Sequence, residues 1–263
     1  MSDQTPDGYD DDGAEQDSTH SVENDNARRS GGSEGLRKRG LLIGLAAVVA
    51  IGVVAGGVVW LNNGKDTGDS RAFKRENVSS IVSKFPEGTQ VIKGERTMDR
   101  SDVGSISTGD DFAIVTPTNC QGKQKVDRSR LVGATANTVN ASIKGVLYVV
   151  TAQEIPSGNA PRVRKDKDCE RMSISYPDGS YNIVSPAEGP RIDGFDVEGA
   201  RSVTRTSAEE TVDNFVFTAW MDDYHAVVVT ASSDPTYKPQ ANPIDPKMAK
   251  ELLTEAVRLV TTG

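Results

Sequence analysis

The chain has 263 residues, room for one or two domains, and carries 38 acidic against 30 basic side chains for a formal net charge of −8. Such a composition lacks the basic stripe that grips phosphate backbones, which excludes a nucleic-acid partner. The acidity is uneven: residues 1–40 hold 10 acidic and 5 basic side chains, leaving 28 and 25 elsewhere, an ordinary mixed surface.

Residues 1–40 read as a disordered acidic cytoplasmic tail. Met1–Asn26 contains no Lys or Arg, includes Asp10-Asp11-Asp12, and offers only Tyr9 and Val22 as large apolar groups. Too little apolar surface is available to offset the entropy of ordering it. Thr5, Ser18 and Thr19 stand beside acidic residues or Pro6 and leave phosphorylation open beside plain solvation. Gly31-Gly32-Ser33-Glu34-Gly35 matches a hydrolase nucleophile elbow, but lacks the strand before and helix after that the motif requires.

Leu41–Leu61 is uncharged, with Trp60 as its one polar-tipped side chain. As a helix it would extend about 31 Å, the thickness of a hydrocarbon core, so the sequence predicts a transmembrane helix over 41–61. Arg37, Lys38 and Arg39 precede it, and Asn62-Asn63-Gly64-Lys65-Asp66 follow. The positive-inside rule then places the N-terminus in the cytoplasm and the rest beyond the cell membrane. A cleavable signal has a shorter core closer to the start; Ala46–Ala50 and Ala55 leave cleavage open. Gly52-x-x-x-Gly56 fits close helix pairing, though glycine is common in membrane helices.

Residues 62–70 form a polar linker with a reach of about 17 Å, and 71–263 an extracytoplasmic domain. Val78, Ile81, Val82 and Phe85 recur at helical spacing before Pro86 and predict a helix. Strand patterns follow. Phe112–Thr116 runs into Pro117 and Cys120. Thr135–Ile143 and Val146–Ile155 flank a Lys144-Gly145 turn, and Met172–Tyr176 and Tyr181–Val184 flank Pro177-Asp178-Gly179-Ser180. Val212–Met221 alternates, with Phe215, Phe217, Ala219 and Met221 on one face and Asn214, Val216, Thr218 and Trp220 on the other; Asp222-Asp223 turns it into Tyr224–Ala231. After the extended run holding Pro235, Pro239 and Pro243 comes a closing helix. Asp245 is its cap, Pro246 its first residue, and Ala249, Leu252, Leu253, Ala256 and Val260 its apolar stripe. The expected fold is α+β: an antiparallel sheet packed by N- and C-terminal helices, preceded by one transmembrane helix and a disordered tail.

Cys120 and Cys169 are the only cysteines, and both lie where the expected topology permits oxidation. A bridge between them would stabilise by about 4 kcal/mol in the chain-entropy model; the competing reading is a pair of buried thiols. Two cysteines with no neighbouring histidine do not make a zinc site, and no metal or other cofactor is expected. His20 falls in the tail. His225, beside Asp222 and Asp223, reads as a strand-end residue. Arg162, Arg164, Lys165 and Lys167 are interrupted by Asp166 and Asp168, and Glu209-Glu210 adjoins a turn. No nucleophile–base pair or phosphate loop emerges, so no catalytic residues are expected.

Val115-Thr-Pro-Thr-Asn-Cys120, Cys169, Pro190-Arg-Ile-Asp-Gly194 and Leu252-Leu253-Thr-Glu-Ala-Val257 form a pattern over residues 78–263. It resembles actinobacterial envelope proteins of unknown function, mostly lipoproteins, related to the extracellular sensor domain of PknH-type mycobacterial receptor kinases. The resemblance implies an antiparallel sheet backed by helices, a disulfide, and an extracytoplasmic binding or sensing role. This chain departs from it in having an apolar segment for an anchor and no kinase domain. The expectation is therefore a non-enzymatic binding or sensor-like domain for an unknown envelope ligand or protein. A structural adaptor is the alternative, and an enzyme built on unrecognised carboxylates a third reading. Trp220 and Tyr224 are the candidate binding residues, placed in a cleft between the closing helix and the sheet. Oligomeric state is not readable.

Overall fold

The computed structural model describes residues 73–101, 113–121, 131–156, 167–206, 208, 210–234, 236–237 and 243–262. The expected tail, membrane span and linker lie outside them. Among the described residues no helix is long and apolar enough to cross a membrane.

Nine strands are described: β1 Val91–Thr97, β2 Ile114–Thr116, β3 Thr135–Ile143, β4 Val146–Glu154, β5 Met172–Ser175, β6 Tyr181–Pro186, β7 Asp196–Arg205, β8 Thr211–Trp220 and β9 His225–Ser233. They form one sheet in the order β1-β3-β4-β9-β8-β7-β6-β5-β2, with every neighbouring pair antiparallel. The single described α-helix, α1, is Lys247–Thr261.

Turn chemistry fixes the hairpins. Lys144 and Gly145 both have positive φ, 49° and 81°, the left-handed pair that matches the twist of a two-residue hairpin, and Ile143 pairs with Val146 across it. In the β5–β6 turn Asp178 accepts the backbone N–H and the hydroxyl of Ser180, while Gly179 takes φ 83°. At the β8–β9 turn Asp222 accepts the backbone N–H groups of Tyr224 and His225.

The expected α+β layering is corrected by the structure to a mainly-β one. Most described elements are strands, and the predicted N-terminal helix is a 3-10 helix, Arg75–Lys84. Its sequence, RENVSSIVSK, explains the tighter winding. Three serines compete for backbone groups and three β-branched residues resist helical packing; Ser83 donates to the Ser80 carbonyl. Val78 and Ile81, three residues apart, are both fully buried, so a three-residue turn keeps them facing the core. Pro86 then ends the run.

The main core lies between α1, this 3-10 helix and one face of β3, β4, β9 and β8. Leu252, Leu253, Ala256, Val257 and Val260 meet Val150, Val227, Val229, Phe215 and Phe217 there. As the sequence indicates, Asp245 accepts the Lys247 N–H at 2.9 Å; Pro246, expected as the first helical residue, stands just before it as the cap position, its carbonyl accepting from Lys250. An ion pair with a buried carboxylate and a partly exposed guanidinium anchors the approach to the helix. Fully buried Asp213 receives two hydrogen bonds from Arg201, at 2.9 and 3.0 Å, and the Ile244 N–H at 3.0 Å. Arg75 fastens the 3-10 helix to the sheet through Glu95, Glu154 and Asn137.

Residues paired across the strands share a face, so Trp220, Val228, Thr151 and Val184 lie on the side away from α1. At the β2–β5 end of that side the structure joins Cys120 to Cys169 by a disulfide, amid Val115, Met172, Ile174 and Val184.

Candidate functional site

A groove of about 730 Å³ opens between the first turns of α1, the end of the 3-10 helix and β4. Its volume falls in the range of small-molecule sites. Met248 and Leu252 form one apolar wall, Lys84 and Pro86 stand on the other side, and Tyr148 of β4 lies among them. The rim carries Asp245, Lys247, Glu251 and Glu255.

Strand alternation puts Tyr148 there. It shares the core face of β4 with Val146, Val150 and Ala152, so its ring is packed and the residue is only 6% exposed. Its phenol has no hydrogen-bond partner among the described residues. A buried tyrosine normally satisfies its hydroxyl, so a phenol left open along a groove is available to something arriving from outside. Burial pushes its pKa up and the Asp245 carboxylate adds to the shift, so the phenol remains protonated and can both donate and accept.

The charges around it are partly spent. Glu255 is held by Arg258 at 2.7 Å and by Lys84 at 3.6 Å. That pairing, led by the Arg258 hydrogen bond, keeps its pKa below the ordinary value. One oxygen of Asp245 caps the helix. Glu251 and Lys247 have no ion-pair partner among the described residues.

Trp220 and Tyr224 sit elsewhere. Trp220 is 3% exposed on the sheet face away from α1, packed with Met98, Leu131, Ala134, Ile155 and Ala226, and its indole N–H donates to Glu198 at 3.1 Å. Tyr224 is 50% exposed at the β8–β9 turn. Tyr148 pairs with Ala231, six residues along β9 from His225, so roughly 20 Å separates the turn from the groove. A cleft at the helix–sheet junction exists, but neither expected residue reaches it. Tyr148 was missed because it reads as one more core position of a β-rich run; the available signal was a polar-tipped aromatic on the buried face.

The other candidates do not assemble a site. His225 Nδ1 lies 2.8 Å from Asp222, and its ring is 4.4 Å from that of Phe73, which closes the imidazole between a carboxylate and an aromatic face. Arg162, Arg164 and Lys165 fall outside the described residues, and Lys167 begins a short 3-10 turn. No cluster of metal-ligating side chains occurs among the described residues. The face away from α1 carries polar atoms without partners on Asn140, Gln153, Asn182, Asn214 and Thr230. They are distributed from β3 to β6 and do not converge on a point.

The architecture defines a class: a mainly antiparallel β domain, disulfide-bridged, with one helix over half of one sheet face. Residues 74–261 match the family described as Domain of unknown function (DUF5642), and the chain belongs to that family. A search of curated proteins finds no match. Among solved structures, the X-ray structure of an uncharacterised Mycobacterium smegmatis protein, the Rv0999 ortholog, shares the fold. Its TM-score is 0.58 at 21% identity, over 73% of this chain and 98% of that one.

Proposed function

We propose that this domain is a binding module that works outside the cytoplasm and does no chemistry on what it binds. The observation that carries the reading is the Tyr148 hydroxyl, which has no partner among the described residues and sits on a ring packed into the core beside a groove of small-molecule size. The disulfide supports the location, since such bridges persist in oxidising compartments. The motif resemblance to envelope proteins related to receptor-kinase sensor domains supports the sensing variant, in which a bound ligand alters contacts with a signalling partner.

A structural adaptor is the second reading, favoured by the uncovered half of the α1-side sheet face. Ile114 and Ile183 are 66% and 47% exposed there, next to Val203.

The test uses the full-length protein, its Tyr148→Phe variant, which keeps the ring and removes the hydroxyl, and Met248→Trp, which fills the groove. Each is incubated with small molecules extracted from cell envelopes, washed, denatured, and the released compounds identified by mass spectrometry. A compound retained by the parent and lost from both variants, at unchanged thermal stability, is the expected result. No retained compound, or equal retention by all three, would transfer the reading to the adaptor.

A further inference from the structure

We infer that the ligand class of the Tyr148 groove is an organic amine, bound as its ammonium cation with a short apolar body; this rests on the groove being a binding site at all. The charge arrangement gives the sign. The start of α1 would ordinarily attract an anion, through free N–H groups and the positive end of its dipole. Here that position is already filled by the protein's own Asp245, which accepts the Lys247 N–H at 2.9 Å. An added carboxylate or phosphate there would meet the Asp245 carboxylate, with Glu251 lining the same groove.

The lining balances towards acceptance of positive charge. Five charged residues line the groove, Lys84 and Lys247 against Asp245, Glu251 and Glu255. Lys84 is paired with Glu255, which Arg258 also holds, so the open charges are Asp245 and Glu251 against Lys247, an excess of one negative charge. The second oxygen of Asp245 and the whole Glu251 carboxylate remain without hydrogen-bond or ion-pair partners among the described residues. An ammonium group offers three N–H donors. The open acceptors to match them are the Asp245 oxygen, the Glu251 carboxylate and the lone pairs of the Tyr148 phenol oxygen. Met248, Leu252 and Pro86 supply apolar wall for a short alkyl or aryl stem.

Tyr148 separates this arrangement from an ordinary acidic rim. Asp245 and Glu251 alone would be solvated surface charges worth little. With its ring packed into the core, the residue only 6% exposed, and its hydroxyl without a partner among the described residues, Tyr148 gives the site a fixed floor that a hydrated surface pair lacks.

The experiment is isothermal titration calorimetry of the full-length protein with three probes of equal length: n-hexylamine, n-hexanol and n-hexanoate. Hexylamine is expected to bind, and the other two to bind at least about tenfold more weakly, the discrimination expected of hydrogen bonds to charged groups. Glu251→Gln removes charge without touching the helix cap and should weaken hexylamine about tenfold. Tyr148→Phe should weaken it with the fold intact by circular dichroism. Preferential binding of hexanol or hexanoate, still lost in Tyr148→Phe, would overturn the amine assignment and leave the binding reading standing. Hexylamine binding indifferent to both substitutions would overturn the assignment of the site. Absence of heat with all three probes overturns the amine proposal, and the envelope-extract measurement then decides the binding reading separately.

Discussion

At the scale of single residues, carboxylates in this domain are held by backbone and hydroxyl donors as much as by cations. Asp178, Asp222, Asp234 and Asp245 each accept from a backbone N–H two or three positions later. These local bonds fix turns and a helix start, and single side chains foretell them well because they act within a few residues of themselves. Asp178 and Asp234 are both held below the ordinary carboxylate value, and of the two only Asp234 is buried. Burial raises its pKa, but bonds from Ser142 and from the Thr236 hydroxyl and N–H outweigh that and hold it below the ordinary value of 3.8. A depressed folded-state pKa contributes stability that is present above the unfolded value and lost as pH falls through the folded one. Urea unfolding between neutral pH and about pH 3 should therefore show the parent losing stability more steeply than Asp234→Asn at the acid end. Parallel curves would contradict this account of the side chain.

At the scale of elements, the hairpins and α1 were legible because each is specified locally. Lys144-Gly145 and Asp178-Gly179 mark their turns, and Asp245-Pro246 with the stripe to Val260 marks the helix. What was not legible depended on distant partners. β1 carries Lys93, Gly94, Glu95 and Arg96 and is a strand because β3 pairs with all seven of its residues. β7 contains Glu198, Gly199 and Arg201 and is placed by β6 and β8 together. Its central glycine is a packing requirement: a Cβ at Gly199 would lie 2.4 Å from the Ala187 carbonyl oxygen and 2.9 Å from the Phe217 ring. Gly199→Ala should accordingly destabilise by about 1–3 kcal/mol, the usual cost of overpacking a core. Gly94→Ala in β1, where a Cβ meets nothing within 4 Å, is the matched control and should be neutral or slightly stabilising. Urea midpoints for the two variants measure the difference, and equal shifts would remove the steric explanation.

At the scale of the whole molecule, the sheet is divided by what covers it. α1 and the 3-10 helix shield β3, β4, β9 and β8 on one side, Ala187, Ile192 and Phe195 pack on the core beside Val197 of β7, and the same side of β6 and β2 carries Ile183 and Ile114 in solvent. The groove lies on the covered half, where the helix start, the 3-10 end and the sheet do not close completely over Tyr148. A junction of this kind is invisible in sequence. Aromatics were legible as candidates, but the alternation that sends Tyr148 towards α1 and Trp220 away from it acquires meaning only once the helix has a side. Coverage also sets where binding should register. Hydrogen–deuterium exchange of the full-length protein, with and without the envelope fraction that it retains, is the most direct test of the groove as the binding site. The account predicts slower exchange confined to the backbone around Lys84–Pro86, Tyr148 and Asp245–Glu255. Protection centred instead on Trp220 and Tyr224, or on the Ile114 and Ile183 face, would contradict it.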